Sequence, residues 1–460
     1  MGIFNHQKPI KTIYISNISE DVWPFISQMS DKQAWEYEIQ ENARLSDRDL
    51  LCFSGSDNTI MILPTEPNPD FLDYFQEMFN HQNFRILVPK IHTGEICKDI
   101  LNDPQIMEEI KIAANSTKKI NLTAYSTSWQ FLDLVTKLKN EGLSVNTPES
   151  PEEVDAWSVN FFGSKSGIRQ LAQQGEVDEP DLKMGDGLII SSIIDAAKIA
   201  AIYYIKDQGV VLKTNKGHSG AGLLIFRKGD LPNDYLACEQ KILEILKKEN
   251  YWDKFPIIIE EFINPKINTG GGFPNVEFKI LKNGRIEFLY FCGMRVSKDG
   301  VFNGVEINNE VLSDRVATRL IDTGFFIGER LKHEGYVGYY DVDFIATKND
   351  DFLVTESNVR RTGGTHVYQT ALELIGKDFM IQTFILSSNS YKLPKGLKLT
   401  FNELNQKLKS IKFNKQSQEG IVIASANLLT LNTFAYIIFG GNEKRAVEIE
   451  KQMEQLLTKP

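Results

Sequence analysis

Apolar residues follow two different spacings along the chain, and each spacing predicts one kind of element. Residues 10–16 alternate apolar and polar positions and then reach a polar turn, which is typical of a strand. Apolar runs predict further strands at Thr59–Leu63 and Phe84–Val88, and helical spacing over Asp70–Asn80 predicts a helix between them. Because strand–helix–strand order is typical of a parallel sheet, we predict an α/β domain over residues 1–145.

The pattern changes twice beyond this domain. Residues 146–153 carry two prolines and several acids and predict a linker, and residues 154–210 are predicted to be mostly helical. Strands are then predicted at Val210–Leu212, Leu223–Phe226, Ile257–Ile259, Val276–Leu281, Ile286–Cys292, Tyr340–Ala346 and Phe352–Glu356, and helices at Cys238–Lys248, Asp314–Glu334 and Thr365–Gly376. A proline and a glycine within Leu393–Gly396 indicate a turn, and a short last module follows it. We therefore predict three domains, 1–145, 146–392 and 393–460.

Composition and charge narrow the class of protein. The 460 residues have a near-average apolar fraction and a formal net charge of −10, which argues against a nucleic-acid partner. The four cysteines form no C-x-x-C pair and indicate buried thiols in a reducing compartment. The polar N-terminus and the lack of an apolar run of about 18–20 residues indicate no signal peptide and no membrane helix. We expect a cytoplasmic protein.

The most specific motif covers residues 341–366. In a strand, Asp341 and Asp343 share one face, and in the following strand Glu356, Asn358 and Arg360 do the same. A turn between the strands brings Asp343, Glu356 and Asn358 together, and their oxygens suit magnesium. Arg360 beside them can stabilise a transferring phosphoryl group. The alternative is a polar sheet end with cross-strand ion pairs.

Residues 210–226 predict a phosphate-binding hairpin. A strand ends near Lys213, and the glycines of the following turn let backbone N–H groups approach phosphate oxygens. The predicted contacts are Lys213, Gly217, His218, Ser219, Gly220 and Gly222, with Lys216 as a second source of positive charge. The spacing is neither a P-loop nor G-x-G-x-x-G. A flexible hairpin without a ligand is the alternative.

Four weaker candidates stand apart from these motifs. The apolar strand that runs into Glu260, Glu261, Phe262 and Ile263 can present its backbone to an adenine and cover the ring, unless it is merely capped by exposed acids. Glu277 can hydrogen-bond a ribose, and Lys165 can reach phosphates from a separate lobe. Arg295 follows a strand and is either a surface charge or a ligand for an acyl phosphate.

Taken in order, these motifs resemble those of the ATP-grasp superfamily. The matching positions are Lys165, Lys213 with the glycine-rich loop 217–222, Glu260–Ile263, Glu277, and the closing D…E-x-N-x-R at Asp343, Glu356, Asn358 and Arg360. The N-terminal segments Y-I-S-N, L-S-D-R-D-L-L and I-L-P-T-E-P-N-P-D-F-L resemble the pre-ATP-grasp domain of pheganomycin-type peptide ligases. The tail segment Q-E-G-I-V-I-A-S-A-N resembles their small C-terminal domain.

The resemblance implies a Rossmann-like pre-ATP-grasp domain, a two-lobed ATP-grasp fold and a small C-terminal domain, in a mixed α/β and α+β chain. It implies ATP, two magnesium ions and an amide-forming ligase that joins a small-molecule or peptide carboxylate to an amine through an acyl phosphate. One departure concerns the substrate carboxylate: some relatives have an arginine where Asp341 stands, and Arg295 or Arg360 is expected to substitute.

Three alternatives stay open at this point. The same fold can serve a thiol acceptor or a carboxylate kinase, and a nucleotide-binding regulator without turnover is the third. The complete set of Asp343, Glu356, Asn358 and Arg360 argues against the regulator, because binding alone does not need the metal ligands. The sequence does not decide whether the chain forms a homodimer.

Overall fold

The fold was analysed in a computed structural model that describes residues 11–53, 58–80, 85–175, 177–207, 209–218 and 221–458. Its strands form three sheets of five, four and nine strands. Within the described ranges, every helix is too short or too polar to traverse a lipid bilayer. The predicted mixture of α/β and α+β architecture is confirmed.

The five-stranded sheet belongs to the N-terminal domain, and its strands are all parallel. Its strands are β1 (Lys11–Ile15), β2 (Thr59–Ile62), β3 (Arg85–Leu87), β4 (Ile120–Ala124) and β5 (Val145–Asn146). Its helices are α1 (Ile18–Asp21), α2 (Trp23–Ile26), α3 (Lys32–Leu45), α4 (Pro69–Phe79), α5 (Ile96–Leu101), α6 (Pro104–Thr117) and α7 (Trp129–Asn140). The strand order is β3-β2-β1-β4-β5, so the direction of winding reverses between β1 and β4.

Local sequence signals explain where the helices of this domain begin. Asn68, Asp103 and Ser128 cap α4, α6 and α7 by accepting hydrogen bonds from backbone N–H groups of the first turn. Pro69 and Pro104 follow two of these caps and fit the first helical turn, where a missing N–H costs nothing. Mainly Ile, Leu and Ala side chains pack on one face of the sheet, and Tyr14 and Met61 are buried on the other, as expected for a covered parallel sheet.

A smaller antiparallel sheet, β7-β10-β8-β9, forms the second lobe. Its elements and those leading into it are α8 (Trp157–Phe162), α9 (Lys165–Gly175), β6 (Lys183–Met184), β7 (Gly187–Ile190), α10 (Ile193–Asp207), β8 (Gly209–His218), β9 (Ala221–Arg227), α11 (Tyr235–Leu246) and β10 (Ile257–Glu261). Helices α10 and α11 cover one face, and their alanines and isoleucines pack on β8 and β10. The stretch predicted as mostly helical therefore also contains β6 and β7.

The nine-stranded sheet has the order β17-β18-β16-β13-β12-β11-β14-β15-β6. Its remaining elements are β11 (Pro274–Ile280), β12 (Ile286–Val296), β13 (Phe302–Ile307), α12 (Asp314–His333), β14 (Gly338–Ala346), β15 (Phe352–Asn358), α13 (Thr365–Leu374), α14 (Phe379–Gln382), β16 (Phe384–Lys392), α15 (Phe401–Lys407), β17 (Gly420–Ser425), β18 (Thr433–Gly440) and α16 (Glu443–Thr458). Strand β18 pairs with β16, so the predicted C-terminal module extends this sheet and forms no separate sheet.

Candidate active site

Four polar side chains converge where β14 and β15 run side by side. Asp343 is the partner of Glu356 in the strand register, and Asp341 is the partner of Asn358. Alternate residues of a strand point to one face, so these side chains share a face of the sheet. The structure therefore brings Asp343, Glu356 and Asn358 together, as the alternation in the sequence predicts.

Asn275 on the neighbouring strand β11 ties the two aspartates together. Its side-chain amide donates hydrogen bonds to Asp341 Oδ2 at 3.1 Å and to Asp343 Oδ1 at 2.6 Å. Burial raises the pKa of both aspartates, helped by Glu277 for Asp341 and by Asp341 and Glu356 for Asp343. The site thus concentrates negative charge that a bound cation would offset.

Lys165, the first residue of α9, reaches into the same site. Its Nζ lies 2.7 Å from Glu356 Oε2, and the two side chains are 18% and 33% exposed. Burial acts to raise the pKa of Glu356, but Lys165 and more distant cations outweigh it and hold that pKa below its ordinary value. The ammonium group of Lys165 therefore lies beside the predicted metal position.

A buried triad holds the second predicted lysine. Lys213 on β8 and Arg169 on α9 approach the two oxygens of Glu260 at 2.7 Å and 2.6 Å. The register places Lys213 opposite Ile258, so its side chain reaches Glu260 diagonally across the strands. Burial opposes ionisation of Glu260, but the two cations outweigh it and lower its pKa. Glu260 therefore acts as the counter-ion of Lys213.

The described residues of the glycine-rich segment lie at the ends of the antiparallel strands β8 and β9. Lys216 Nζ donates to Asn160 Oδ1 at 2.8 Å, and burial lowers the pKa of Lys216. Gly222 in β9 has φ +77°, and a Cβ there would approach Thr214 Oγ1 to 2.3 Å, so this position requires glycine. Ser219, Gly220 and the side chain of His218 lie outside the described residues, and their predicted phosphate contacts stay predictions.

The strand end at 260–263 only partly offers the predicted adenine edge. The backbone N–H of Glu261 donates to Asp186 O at 2.9 Å, and its side chain accepts from Asp186 N at 2.9 Å. The Arg227 guanidinium lies 5.4 Å from the centre of the Phe262 ring, and Ile263 follows it beside Gly185. Phe262 and Ile263 thus remain the better-placed candidates for covering a base.

Arg360 is held by groups from both sides of the cleft. Its Nε donates to Asp21 Oδ2 at 2.6 Å, and its terminal nitrogens donate to Tyr125 Oη at 3.2 Å and Asn358 Oδ1 at 3.0 Å. Asp21 and Tyr125 follow β1 and β4 of the N-terminal domain. Burial acts to lower the pKa of Arg360, but Tyr125 and Asp21 outweigh it and raise that pKa, so the guanidinium stays charged.

Some of these groups line one cavity of about 490 Å³, whereas Lys213, Gly222 and the strand end at 260–263 are not among its lining residues. Its lining includes the predicted site residues Lys165, Gly217, Asp343, Glu356, Asn358 and Arg360 and also Asp21, Tyr125, Lys216, Asn275 and Asp341. Helix α3 and strand β16 add further lining residues, among them Glu38 and Asn389. The cavity is therefore bounded by the N-terminal domain as well as by the nine-stranded sheet.

No protein-family model and no curated protein matches the chain. Solved structures do match. A biotin carboxylase–β-γ-ATP complex from Campylobacter jejuni is 12% identical with a TM-score of 0.56, over 98% of this chain and 96% of that chain. The N5-carboxyaminoimidazole ribonucleotide synthetase of Thermus thermophilus is 11% identical with a TM-score of 0.55, over 98% of this chain and 99% of that chain.

A third match is the biotin carboxylase domain dimer of the Hydrogenobacter thermophilus 2-oxoglutarate carboxylase, in complex with MgADP, ADP and bicarbonate. It is 13% identical with a TM-score of 0.53, over 96% of this chain and 89% of that chain. The chain has the ATP-grasp fold. The fold predicted from the motifs is thereby confirmed, while these matches do not distinguish a pheganomycin-type ligase from other proteins with the ATP-grasp fold.

Two residues expected to bind substrate in the ATP-grasp fold are placed elsewhere. Glu277 is 1% exposed, and its oxygens accept hydrogen bonds from Tyr290, Thr362 and Thr365 at 2.5–2.8 Å. Because the carboxylate is enclosed by hydroxyl groups beneath the sheet end, the geometry does not support the predicted ribose contact.

Arg295 is the second residue that was expected to bind substrate and lies elsewhere. Its Nη1 donates to Glu450 Oε1 at 2.7 Å and to Ser387 O at 3.1 Å, and Glu450 belongs to the C-terminal helix α16. Arg295 is not among the residues lining the cavity. The described contacts therefore give it a part in docking α16, whereas Arg360 alone of the two predicted arginines faces the site.

The donor set at the ends of β14 and β15 fits a hard cation. Asp343 and Glu356 supply carboxylate oxygens and Asn358 an amide oxygen, which are the ligand types that magnesium prefers. No three acidic, histidine or cysteine side chains in the described ranges form a metal-binding group by themselves. Magnesium is usually bound by one or two carboxylates and by phosphates of the nucleotide.

Sequence reasoning missed residues that come from distant parts of the chain. Asn275 is two positions before Glu277 on the same strand face, so the alternation along β11 was a usable signal. Asp21 and Tyr125 carry no such signal, because only the packing of the N-terminal domain on the loop after β15 brings them to Arg360.

Proposed function

We propose that the protein is an ATP- and magnesium-dependent ligase that joins a carboxylate to an amine through an acyl phosphate. The observation that carries the proposal is the convergence of Asp343, Glu356 and Asn358 with Lys165 and Arg360 around one cavity. The matched folds support it, because their structures include complexes with ATP analogues, ADP and MgADP.

The chemistry asks mainly for positioning and charge. A carboxylate oxygen of the substrate attacks the γ-phosphorus, the bond to the bridging oxygen breaks, and ADP leaves. The amine then attacks the acyl carbon, phosphate leaves, and the amine loses a proton. Lys165, Lys213 and Lys216 are suited to bind phosphate oxygens, and Arg360 to hold the acyl phosphate. Magnesium held by Asp343, Glu356 and Asn358 would neutralise phosphate charge.

The flanking regions support a finer proposal. Their resemblance to pheganomycin-type ligases favours amino acids or short peptides as substrates. A thiol acceptor or a carboxylate kinase uses the same first step and would differ only in its product. A regulator without turnover is disfavoured, because Asp343, Glu356, Asn358 and Arg360 all line one cavity and binding alone would not need them together.

The test is ADP release from ATP and magnesium with pooled amino acids and dipeptides, followed by mass spectrometry. Hydroxylamine added to the reaction traps an acyl phosphate as a hydroxamate. We expect ADP release that depends on the carboxylate, a hydroxamate in the trap, and an amide without it. ADP release without amide or hydroxamate would overturn the ligase proposal, as would nucleotide binding without release in every pool.

A further inference from the structure

Helix α3 of the N-terminal domain forms one wall of the active-site cavity, and we call this part of the lining the α3 wall. It consists of Tyr37, Glu38, Glu41, Asn42 and Leu45. Residues three and four positions apart are neighbours on a helix surface, so these five share one face of α3. The wall therefore brings two carboxyl groups to the cavity from a domain that contributes none of the predicted metal ligands.

The two acids of the α3 wall differ from the other acids of the cavity. Each of the others has a partner among the described side chains; they are Asp21, Asp341, Asp343 and Glu356. Within the described ranges, Glu38 Oε2 is buried without a hydrogen-bond partner, and no cation or donor acts on Glu38 or Glu41. Burial and the charge of Glu41 raise the pKa of Glu38 to about 7, so this carboxyl group can accept a proton near neutral pH.

A buried amide on β16 adds a second acceptor. Asn389 is 8% exposed and lines the same cavity. Its Nδ2 donates to Gly363 O at 3.1 Å, which determines the orientation of the amide, and no described group donates to its Oδ1. Gly363 also lines the cavity and lies three residues after Arg360. Because a buried acceptor without a donor is unfavourable, a ligand that brings N–H groups would be stabilised here.

The cationic groups of the cavity lie away from Glu38. Arg48, in the segment that follows α3, is buried, lines the cavity and lies 3.9 Å from Asp49. Burial raises the pKa of Tyr125, and the guanidinium groups of Arg360 and Arg48 act against it. Arg48 therefore lies on the side of Arg360, where an anion is favoured, whereas the surroundings of Glu38 favour a group that donates protons.

The elements packed against α3 bring only charged groups that are already engaged by described residues. They are α1 and the 3-10 helices at 46–53 and 427–431, and their charged residues are Glu20, Asp21, Asp47, Arg48 and Asp49. On α3 itself, burial, Glu41 and Glu38 raise the pKa of Tyr37 against the effect of Arg44, so the phenol stays neutral. Glu41 is therefore the charge that acts on Glu38.

The amine that attacks an acyl phosphate must first lose a proton, because amino groups are largely protonated near neutral pH and an ammonium ion has no free electron pair. We propose that the α3 wall is the amine subsite, where Glu38 accepts the proton of the incoming ammonium group and Asn389 Oδ1 accepts a hydrogen bond from the amine substrate. This inference rests on the ligase function proposed above and names the general base of its second step.

The protons and bonds of this step balance. The Glu38 carboxylate takes one proton from the ammonium group, and the neutral amine attacks the acyl carbon. The C–N bond forms while the bond between the acyl carbon and the phosphate oxygen breaks. The nitrogen loses its second proton to the departing phosphate, which leaves as hydrogen phosphate, and Glu38 then returns its proton to water.

Hydroxylamine separates this step from the formation of the acyl phosphate, because it is largely neutral near pH 7 and needs no base, unlike the amine of an amino acid or peptide. We expect Glu38→Gln to keep the rate of hydroxamate formation within about twofold and to lower kcat/KM for amide formation about 10²-fold. Asn389→Ala should raise the KM for the amine about fivefold. Glu36→Gln is the matched control, since Glu36 is an exposed acid on α3 outside the cavity lining.

The pH profile gives a readout that a merely structural role would not move. In the wild type, kcat/KM for the amine should rise to about pH 7 and then level off, because Glu38 titrates there and the ammonium group is its proton donor. In Glu38→Gln it should keep rising toward the pKa of the amine itself. Glu41→Gln should move the levelling to lower pH, because the charge of Glu41 raises the pKa of Glu38.

The outcomes separate this inference from the ligase proposal. Equal amide formation with the same pH profile in wild type and Glu38→Gln would overturn the inference alone. A parallel loss of hydroxamate and amide in Glu38→Gln would also overturn it, since Glu38 would then serve the first step or the fold. Hydroxamate without any amide in the wild type would overturn it in favour of a carboxylate kinase. No hydroxamate with any carboxylate would overturn the ligase proposal and this inference with it.

Discussion

Glu356→Gln probes the proposed metal site most directly, since it removes one negative charge and keeps the shape of the side chain. It also breaks the ion pair with Lys165 at 2.7 Å. That pair is partly open to solvent, at 18% and 33% exposure, so its loss should cost at most about 1 kcal/mol of folding stability. Relief of the repulsion with Asp343 acts in the opposite direction.

The expected effect on catalysis is much larger. A group that stabilises charge in the transition state typically contributes about 3–4 kcal/mol, which corresponds to a loss of roughly 10²–10³ in kcat. The assay is ADP release at saturating substrate, and urea denaturation checks the fold. Glu287→Gln is the matched control. Glu287 lies on β12 of the same sheet as Glu356, its side chain is 30% exposed, and it is ion-paired with Arg285. A Glu356→Gln protein with wild-type turnover would refute the metal-site argument.

Three further predictions concern the other charged groups. Lys213→Met should weaken ATP binding about tenfold by calorimetry, since one phosphate-binding cation is lost, and unchanged affinity would contradict its assignment. Asp21→Asn should lower kcat about tenfold while the KM for ATP stays constant, because Arg360 loses its partner; a change confined to KM would point to a binding role. Glu260→Gln should destabilise the fold by about 3 kcal/mol at pH 7, because Lys213 and Arg169 are left buried without a counter-ion. The pKa of Glu260 in the folded state is lowered from 4.5, its value in the unfolded state. Below pH 4.5 the unfolded state therefore binds more protons than the folded state. The stabilisation by the two ion pairs is thus present above pH 4.5 and is lost as the pH falls below it. The difference between wild type and Glu260→Gln in urea should therefore shrink as the pH falls below 4.5, and a constant difference would refute the ion-pair explanation.

The sequence predicted the elements whose residues carry a periodic pattern. The strand at Tyr340–Ala346 appears within β14, and the helix at Asp314–Glu334 corresponds to α12. Short edge strands escaped prediction, since β6 contains two residues and β7 has its central side chains exposed. Their strand character comes from pairing with β15 and β10, which no local pattern records.

The same distinction between local pattern and tertiary contact applies to the residues of the candidate site. Alternation predicted the convergence of Asp343, Glu356 and Asn358, because strand geometry alone determines which residues share a face. Motif order placed Glu277 and Arg295 at the substrate, but motif order carries no information on tertiary contacts. The hydroxyl groups around Glu277 and the helix α16 beside Arg295 come from distant parts of the chain.

The N-terminal domain is best regarded as part of the active site. Arg360 takes its position from Asp21 and Tyr125, and the next residue, Arg361, is 4% exposed and pairs with Glu149 at 2.5 Å while its guanidinium lies 5.6 Å from the Tyr14 ring. Two successive arginines are thus held both by the nine-stranded sheet, through Asn358 and Tyr339, and by residues outside it. Loosening the domain would move the guanidinium that we propose holds the acyl phosphate, and a misplacement of about 1 Å is enough to cost roughly 10²-fold in rate.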